Sequence, residues 1–206
     1  MESLIVNSNQ EMKLIKRLKL WLPVVLTGLL LQSCGYNSMV EKDEVIAQKW
    51  ADVQTQYQRR ADLIPNLVNT VKGYADFEKE TLTGVIEARS KATSMQLNVD
   101  DLTPENLQKF QAAQKGLSGA LSRLMVTVER YPELKANQNF RDLQAQLEGT
   151  ENRIGVARKN FNAAVKEYNT YIRKFPKNII ASMFDFEKKG YFEADQGAEK
   201  APEVKF

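Results

Sequence analysis

Histidine is missing from this chain of 206 residues, and cysteine occurs once. Without imidazole there is no His-based acid–base catalysis and no imidazole metal site. With one thiol there is no intrachain disulfide, no CxxC redox pair and no thiolate zinc site. Glycine and proline are sparse, at 10 and 6 residues, which excludes a fibrous or low-complexity chain. GxSxG, P-loop and dinucleotide fingerprints are absent, and no Ser or Lys stands in a local arrangement that would activate a nucleophile. A large charge imbalance is lacking too: 29 Lys+Arg face 26 Asp+Glu, a formal +3.

What is present begins with an export signal. Residues 1–11 form no recognisable element, and Met12 is expected to be the true start. From there MKLIKRLK carries four cations, Lys13, Lys16, Arg17 and Lys19. The uncharged run Leu20–Leu31 follows, then Gln32-Ser33-Cys34-Gly35. A basic segment, a short apolar segment and a small residue before the cut describe a secretory signal over 1–33. As a helix its twelve uncharged residues span only about 18 Å, short of the roughly 30 Å hydrocarbon core. Leu31-Gln32-Ser33-Cys34 resembles the bacterial lipobox, so attachment of a diacylglyceryl group to the Cys34 thiol, cleavage before Cys34 and further acylation are expected, tethering the chain to a membrane. The alternative is an uncleaved anchor, because no charge occurs from Leu20 to Val40. In both cases the cations stay cytoplasmic and the remainder lies outside. Gly35 in place of Asp after the acylated Cys favours the outer over the plasma membrane. Removing residues 1–33 takes away four cations and two acids (Glu2 and Glu11), leaving 25 against 24, or +1 over 173 residues. The apparent basicity is the signal's, so nucleic acid is not an expected partner.

The body reads as helical. Apolar residues recur at alternating 3,4 spacing along Phe140, Leu143, Leu147, Thr150, Ile154, Ala157, Phe161, Ala164, Tyr168, Tyr171 and Phe175, five heptads without a stutter. A second run is Ile46, Trp50, Val53, Tyr57, Arg60, Ile64, Leu67, Val71 and Tyr74; a third is Leu107, Phe110, Gln114, Leu117, Leu121, Leu124, Val128 and Tyr131. Thr103-Pro104-Glu105 supplies an N-cap, a proline at the first helical position and an acid at the positive helix end. Tyr131-Pro132 and Pro176 stop helices, while Pro65 lies inside a continuing seam and predicts a kink. These signals predict an all-α, antiparallel up-and-down four-helix bundle of long, coiled-coil-like helices at roughly 38–74, 77–94, 104–131 and 136–175, within a domain over 36–192. Residues 178–192 are too apolar to be free and are expected to fold over one bundle end. Residues 193–206 are expected to form a mobile acidic tail.

Several blocks resemble the LemA family. They are Arg59–Val68 (RRADLIPNLV) with Asn69–Tyr74, Glu87-Ala88-Arg89, and Tyr131–Ile154 (YPELKANQNFRDLQAQLEGTENRI). Phe161-Asn162, Glu167-Tyr168-Asn169, Phe175-Pro176-Lys177-Asn178 and Tyr191-Phe192-Glu193 extend the likeness over about 36–206. The resemblance implies a bacterial envelope protein with an N-terminal membrane segment and an outward-facing four-helix bundle of unsettled biochemical role. Two departures stand out. Phe77 precedes Glu78 where many relatives carry His, and the lipobox replaces a plain transmembrane anchor.

Three clusters are candidate sites. Arg59, Arg60 and Asp62 beside Pro65 and Asn66 form the most polar patch on a striped helix, with Arg60 on the seam itself. Arginines at a proline-bent helix can clamp an anion or partner. The structural reading, which is preferred, pairs Arg60 with Asp62 or a carboxylate of a neighbouring helix to fix register, its head snorkelling to the bundle end. Glu148–Arg153 offers carboxylates for a divalent cation, but a bundle di-metal site needs Glu-x-x-His motifs, so interhelical hydrogen bonding is preferred. Phe184, Phe186, Tyr191 and Phe192 with Lys188 and Lys189 form either a lipid- or protein-docking patch or, preferably, a cap on the bundle. No catalytic residue, metal site or cofactor is expected. The expected function is a non-enzymatic, lipid-tethered scaffold with an unidentified envelope protein partner; the alternative is a binding module for a small ligand, lipid or peptide.

Overall fold

The computed structural model describes the backbone of residues 2–73 and 78–193, and the side chains of 35–73 and 78–193. Helices α1 (Glu2–Lys72), α2 (Lys79–Ser94), α3 (Pro104–Val128), α4 (Pro132–Ala136), α5 (Gln138–Arg173) and α6 (Lys177–Met183) account for most of it, with a 3-10 turn at Val99–Asp101. Among the described residues there is no strand. The all-helical fold expected from the 3,4 periodicity is observed. Its four long helices are α1, α2, α3 and α5. The signal segment 1–33, the Cys34 side chain and the tail 194–206 lie outside the residues whose side chains are described, as does Tyr74 at the end of the second seam. Among the described side chains no helix is long and apolar enough to cross a membrane.

The residues group into two compact units: the chain up to Asp43 with Thr170–Glu187, and Glu44–Asn169 with the segment from Lys188. The larger unit has a core in two halves. One half is mainly aliphatic: Ile64, Leu67 and Val71 of α1 meet Leu82 and Val85 of α2, Leu117, Leu121 and Leu124 of α3, and Phe140 and Leu147 of α5. The other half is aromatic. Trp50 lies 5.3 Å from the Phe110 ring and 5.6 Å from Phe161, and Tyr57 lies 5.2 Å from Phe110. Aromatic pairs at these distances add to plain area burial.

The caps follow local chemistry. Thr103 accepts from the Asn106 N–H at 3.2 Å, and Pro104 occupies the first turn of α3. Trp50 donates its indole N–H to the Leu97 carbonyl at 2.9 Å, which pins the loop between α2 and α3. The α1 and α3 seams are buried as expected, through Val71 and Val128. The α5 seam differs. Beyond Phe161 the buried positions are Val165, Tyr168 and Ile172, whereas Ala164 and Tyr171 are half-buried and Phe175 is exposed. Two successive four-residue steps, Ala157–Phe161–Val165, make a stutter. A helix of 3.6 residues per turn drifts about 20° per heptad away from a 3.5 repeat, and the stutter resets the face.

The segment from Lys188 is not a cap over a helix end. It runs extended between helices of the larger unit and inserts Phe192 into the aromatic half-core, 5% exposed. Phe192 lies 5.4 Å from Phe161 and 6.1 Å from Trp50. Its backbone is gripped by side-chain amides. Asn162 donates to the Phe192 carbonyl at 2.8 Å and accepts from its N–H at 2.9 Å. Asn169 does the same for Lys189, at 2.9 and 3.0 Å. Gly190 donates to Leu102 at 2.7 Å, and a Cβ there would stand 2.9 Å from Pro104, so only glycine fits this approach.

Candidate functional site

Arg60 occupies a seam position of α1 between Tyr57 and Ile64, at the boundary of the two half-cores. It is 1% exposed. A guanidinium so placed must be paired, and it is. Its Nη1 donates to Glu151 Oε1 of α5 at 2.5 Å and to Ser118 Oγ of α3 at 3.0 Å. Its Nη2 donates to Gln114 Oε1 of α3 at 2.6 Å. Gln114 in turn donates to the Ala92 carbonyl of α2 at 3.1 Å. All four long helices are therefore joined at one level. Thr150, fully buried beside Glu151 in the α5 sequence, turns its hydroxyl back to the Gln146 carbonyl at 2.7 Å. Within this layer, Arg60 Nε is left without a hydrogen-bond partner among the described residues.

Tyr57 borders this layer, with the Arg60 guanidinium carbon 5.1 Å from its ring centroid. Burial pushes the Tyr57 hydroxyl above its ordinary value, while the nearby Arg158 and Arg60 charges pull it back. The phenol thus stays neutral at physiological pH, and it is no general base there. Glu151 keeps a half-exposed carboxylate.

The neighbouring motif residues face away from this layer. Arg59, Asp62, Pro65 and Asn66 are all exposed. Arg59, Asp62 and Asn66 border an open groove of about 1030 Å³, which Gln58, Thr93 and Arg153 also line. Gln58 donates to Asp62 at 2.8 Å, and that is how Asp62 is engaged on its own helix. Arg60 and Arg59 therefore belong to different sites, one interior and one on the groove. Arg60 neither pairs with Asp62 nor reaches a bundle end; its carboxylate is Glu151. A smaller cavity of about 380 Å³ lies beside Arg60, Lys115, Glu151 and Arg158.

Pro65 sits inside α1 with the helix continuing to Lys72. A proline has no N–H, so the carbonyl four residues earlier, Ala61, loses its helical donor. Arg89 of α2 donates its Nε to that carbonyl at 2.8 Å. The Arg59–Val68 and Glu87-Ala88-Arg89 blocks are thus two halves of one contact. Glu78, which follows the His-less position, accepts from Arg130 at 2.5 Å and from Thr81 at 3.1 Å.

The layer partners Gln114 and Ser118 were not singled out as site residues from sequence. A signal existed: Arg60, Gln114 and Thr150 are the polar residues on three otherwise apolar seams. Among the described residues no group of three or more His, Cys, Asp or Glu could hold a metal ion.

The architecture defines a class, the all-helical bundle whose buried polar groups are spent on tying its own helices together. The chain belongs to the LemA family, whose family model matches residues 49–206. Among its relatives, magnetosome protein MamQ 2 of Paramagnetospirillum magneticum is 26% identical over 175 residues, covering 77% of this chain and 64% of that protein. Magnetosome protein MamQ of Magnetospirillum gryphiswaldense is 26% identical over 174 residues, with 76% and 64% covered. Protein LemA of Metamycoplasma hominis is 25% identical over 160 residues, with 78% and 69% covered. The chain spans 64% of the length of the MamQ relatives it matches.

Proposed function

We propose that this protein is a membrane-tethered, non-enzymatic scaffold of the bacterial envelope, held by lipid on Cys34 and presenting its bundle to a protein partner outside the cytoplasm. The observation that carries the reading is the Arg60 layer. The most chemically capable group of the bundle is committed to Glu151, Gln114 and Ser118, which suits a rigid platform better than a reactive site. The lipobox-like Leu31–Cys34 supports the tether, and Gly35 supports the outer membrane as its destination. The relatives carry the names of a magnetosome protein and of the family itself, and neither is the name of a reaction. Crosslinking in living cells followed by affinity capture of the full chain tests the scaffold. A discrete protein partner is expected, and capture of bulk lipid alone would overturn it. Radiolabelled palmitate should mark the parent chain and not Cys34→Ser.

A second reading, a binding module for a small ligand, lipid or peptide, is favoured by the groove of about 1030 Å³ beside Arg59, Asp62 and Asn66. Native mass spectrometry of the detergent-solubilised full chain separates the two. A retained non-protein mass that Arg59→Ala abolishes supports the module over the scaffold.

A further inference from the structure

The smaller unit carries an anomaly of the opposite kind to Arg60. Phe175 lies two residues before α6, and Ile179 and Met183, spaced i, i+4, share one face of it. They are 82%, 53% and 69% exposed. Phe184 follows, also exposed. Water does not favour four large apolar side chains in one short stretch, and such a patch marks a surface that something covers.

The same unit shows what lies next to it. A Cβ built on Gly35 would stand 3.1 Å from Ile180 Cδ1, so α6 packs directly against the chain at that glycine. The Tyr36 ring meets Phe184 at 4.9 Å and Phe186 at 5.7 Å, both edge-on. Gly35 is the residue after Cys34, and one residue advances a helix by about 1.5 Å. The exposed face of α6 therefore belongs to the level at which the chain is expected to meet the lipid. The turn that ends α6 holds it there. Asp185 adopts a left-handed conformation (φ 56°), and the Phe186 N–H reaches back to the Ala181 carbonyl at 2.9 Å, a helix-ending arrangement that fixes Phe184 and Phe186 toward Tyr36.

We infer that the occupant of this face is the bilayer itself: α6 lies in the membrane interface as an apolar foot, with Phe175, Ile179, Met183 and Phe184 inserted and Tyr36 at headgroup depth. The inference rests on the membrane tether proposed above. Tyrosine beside apolar anchors suits the interface, where a ring has one dry and one wet end. The charges nearby are mixed, Arg173, Lys174 and Lys177 against Asp185 and Glu187, so insertion depends on apolar contact and little on anionic lipid. Lys177 is in any case turned onto the Tyr171 ring, 3.6 Å from its centroid. The lipid on Cys34 and the foot are two linked membrane contacts, so the foot sets how the bundle sits on the bilayer while the lipid supplies the anchoring.

The test uses the full chain purified from bacterial membranes and reconstituted into phosphatidylcholine vesicles brominated near the headgroup end of the acyl chains. Met183→Trp is compared with Val126→Trp and Val156→Trp, which place an indole at exposed positions of α3 and α5, and each is read as a difference from the parent. Flotation with the vesicles reports the tether separately. With flotation intact, Met183→Trp should lose about twofold or more of its emission to bromine, as an indole at interface depth does. The Val126 and Val156 variants should lose little. Ile179→Trp repeats the reading should Met183→Trp lose helicity. Flotation without preferential quenching at 183 or 179 overturns the foot and leaves the tether standing. Failure to float overturns the tether and the foot with it.

Discussion

Arg60 and Phe175 break the same rule in opposite directions. One is a guanidinium at 1% exposure, the other a phenyl ring at 82%. The difference lies in where each finds its partners. Arg60 is answered inside the chain by Glu151, Gln114 and Ser118, so its burial is a statement about architecture. Phe175, with Ile179 and Met183, is left uncovered on its own unit, so its exposure is a statement about surroundings. A buried polar group and an exposed apolar one are both informative, but the first points inward and the second outward.

The aromatics of the C-terminal region sharpen this contrast most. Phe192→Ala removes a ring that touches Trp50, Phe110 and Phe161, and should cost about 3–5 kcal/mol of unfolding free energy in urea titrations. Phe175→Ala, measured in the same way without lipid, should stay within about 0.5 kcal/mol. A large loss at Phe175 would mean that the ring is packed in solution, and the outward reading of α6 would fail.

The polar layer should respond next. Arg60→Ala leaves Gln114 Oε1 without its donor and unties Glu151 from the layer, and should cost about 3 kcal/mol. Glu151→Gln should cost about 1 kcal/mol or less, because its carboxylate is half-exposed and water screens the pair. Arg60→Met with Gln114→Leu should recover part of the Arg60→Ala loss, since an apolar layer of similar volume replaces the network. Chemical denaturation of the three variants orders them. Equal losses for Arg60→Ala and Glu151→Gln would make the ion pair, not the wider network, the source of stability.

Much of this fold was legible in the sequence because seam residues obey one periodicity. Ile46 through Val71 and Leu107 through Val128 are buried as the spacing requires. The α5 seam was legible to Phe161 and again at Tyr168, but not at Ala164, Tyr171 or Phe175, because a strict heptad cannot anticipate where a straight helix resets its face. The Arg60 cluster was visible as a cluster, but its division was not. Adjacent residues on a helix face about 100° apart, so Arg59 and Arg60 cannot share a site, and the seam position of Arg60 already assigns it to the interior. Which carboxylate meets it depends on the vertical offset of α1 and α5, which no local pattern encodes. The strap was harder still. Asn162 and Asn169 recognise main chain, so nothing in the side chains of Lys189 or Phe192 foretells the pairing.

The smallest effect concerns Pro65, and it separates a defect from a joint. Proline inside a helix usually costs about 3 kcal/mol relative to alanine, partly through the carbonyl it orphans. Here that carbonyl, on Ala61, accepts from Arg89 at 2.8 Å. A hydrogen bond from a charged donor is worth about 1.5–3 kcal/mol, but Arg89 is half-buried and part of that is screened. Arg89→Ala should therefore cost about 1–2 kcal/mol in the parent. In a Pro65→Ala background the new N–H at position 65 can close the helical bond to Ala61, and Arg89→Ala should cost about 1 kcal/mol less. The coupling in that double-mutant cycle, read from urea unfolding, is the measure of the joint. If Arg89→Ala costs the same in both backgrounds, Arg89 does not stand in for the missing donor, and α1 and α2 are held together by the apolar contacts of Ile64, Leu67, Leu82 and Val85 alone.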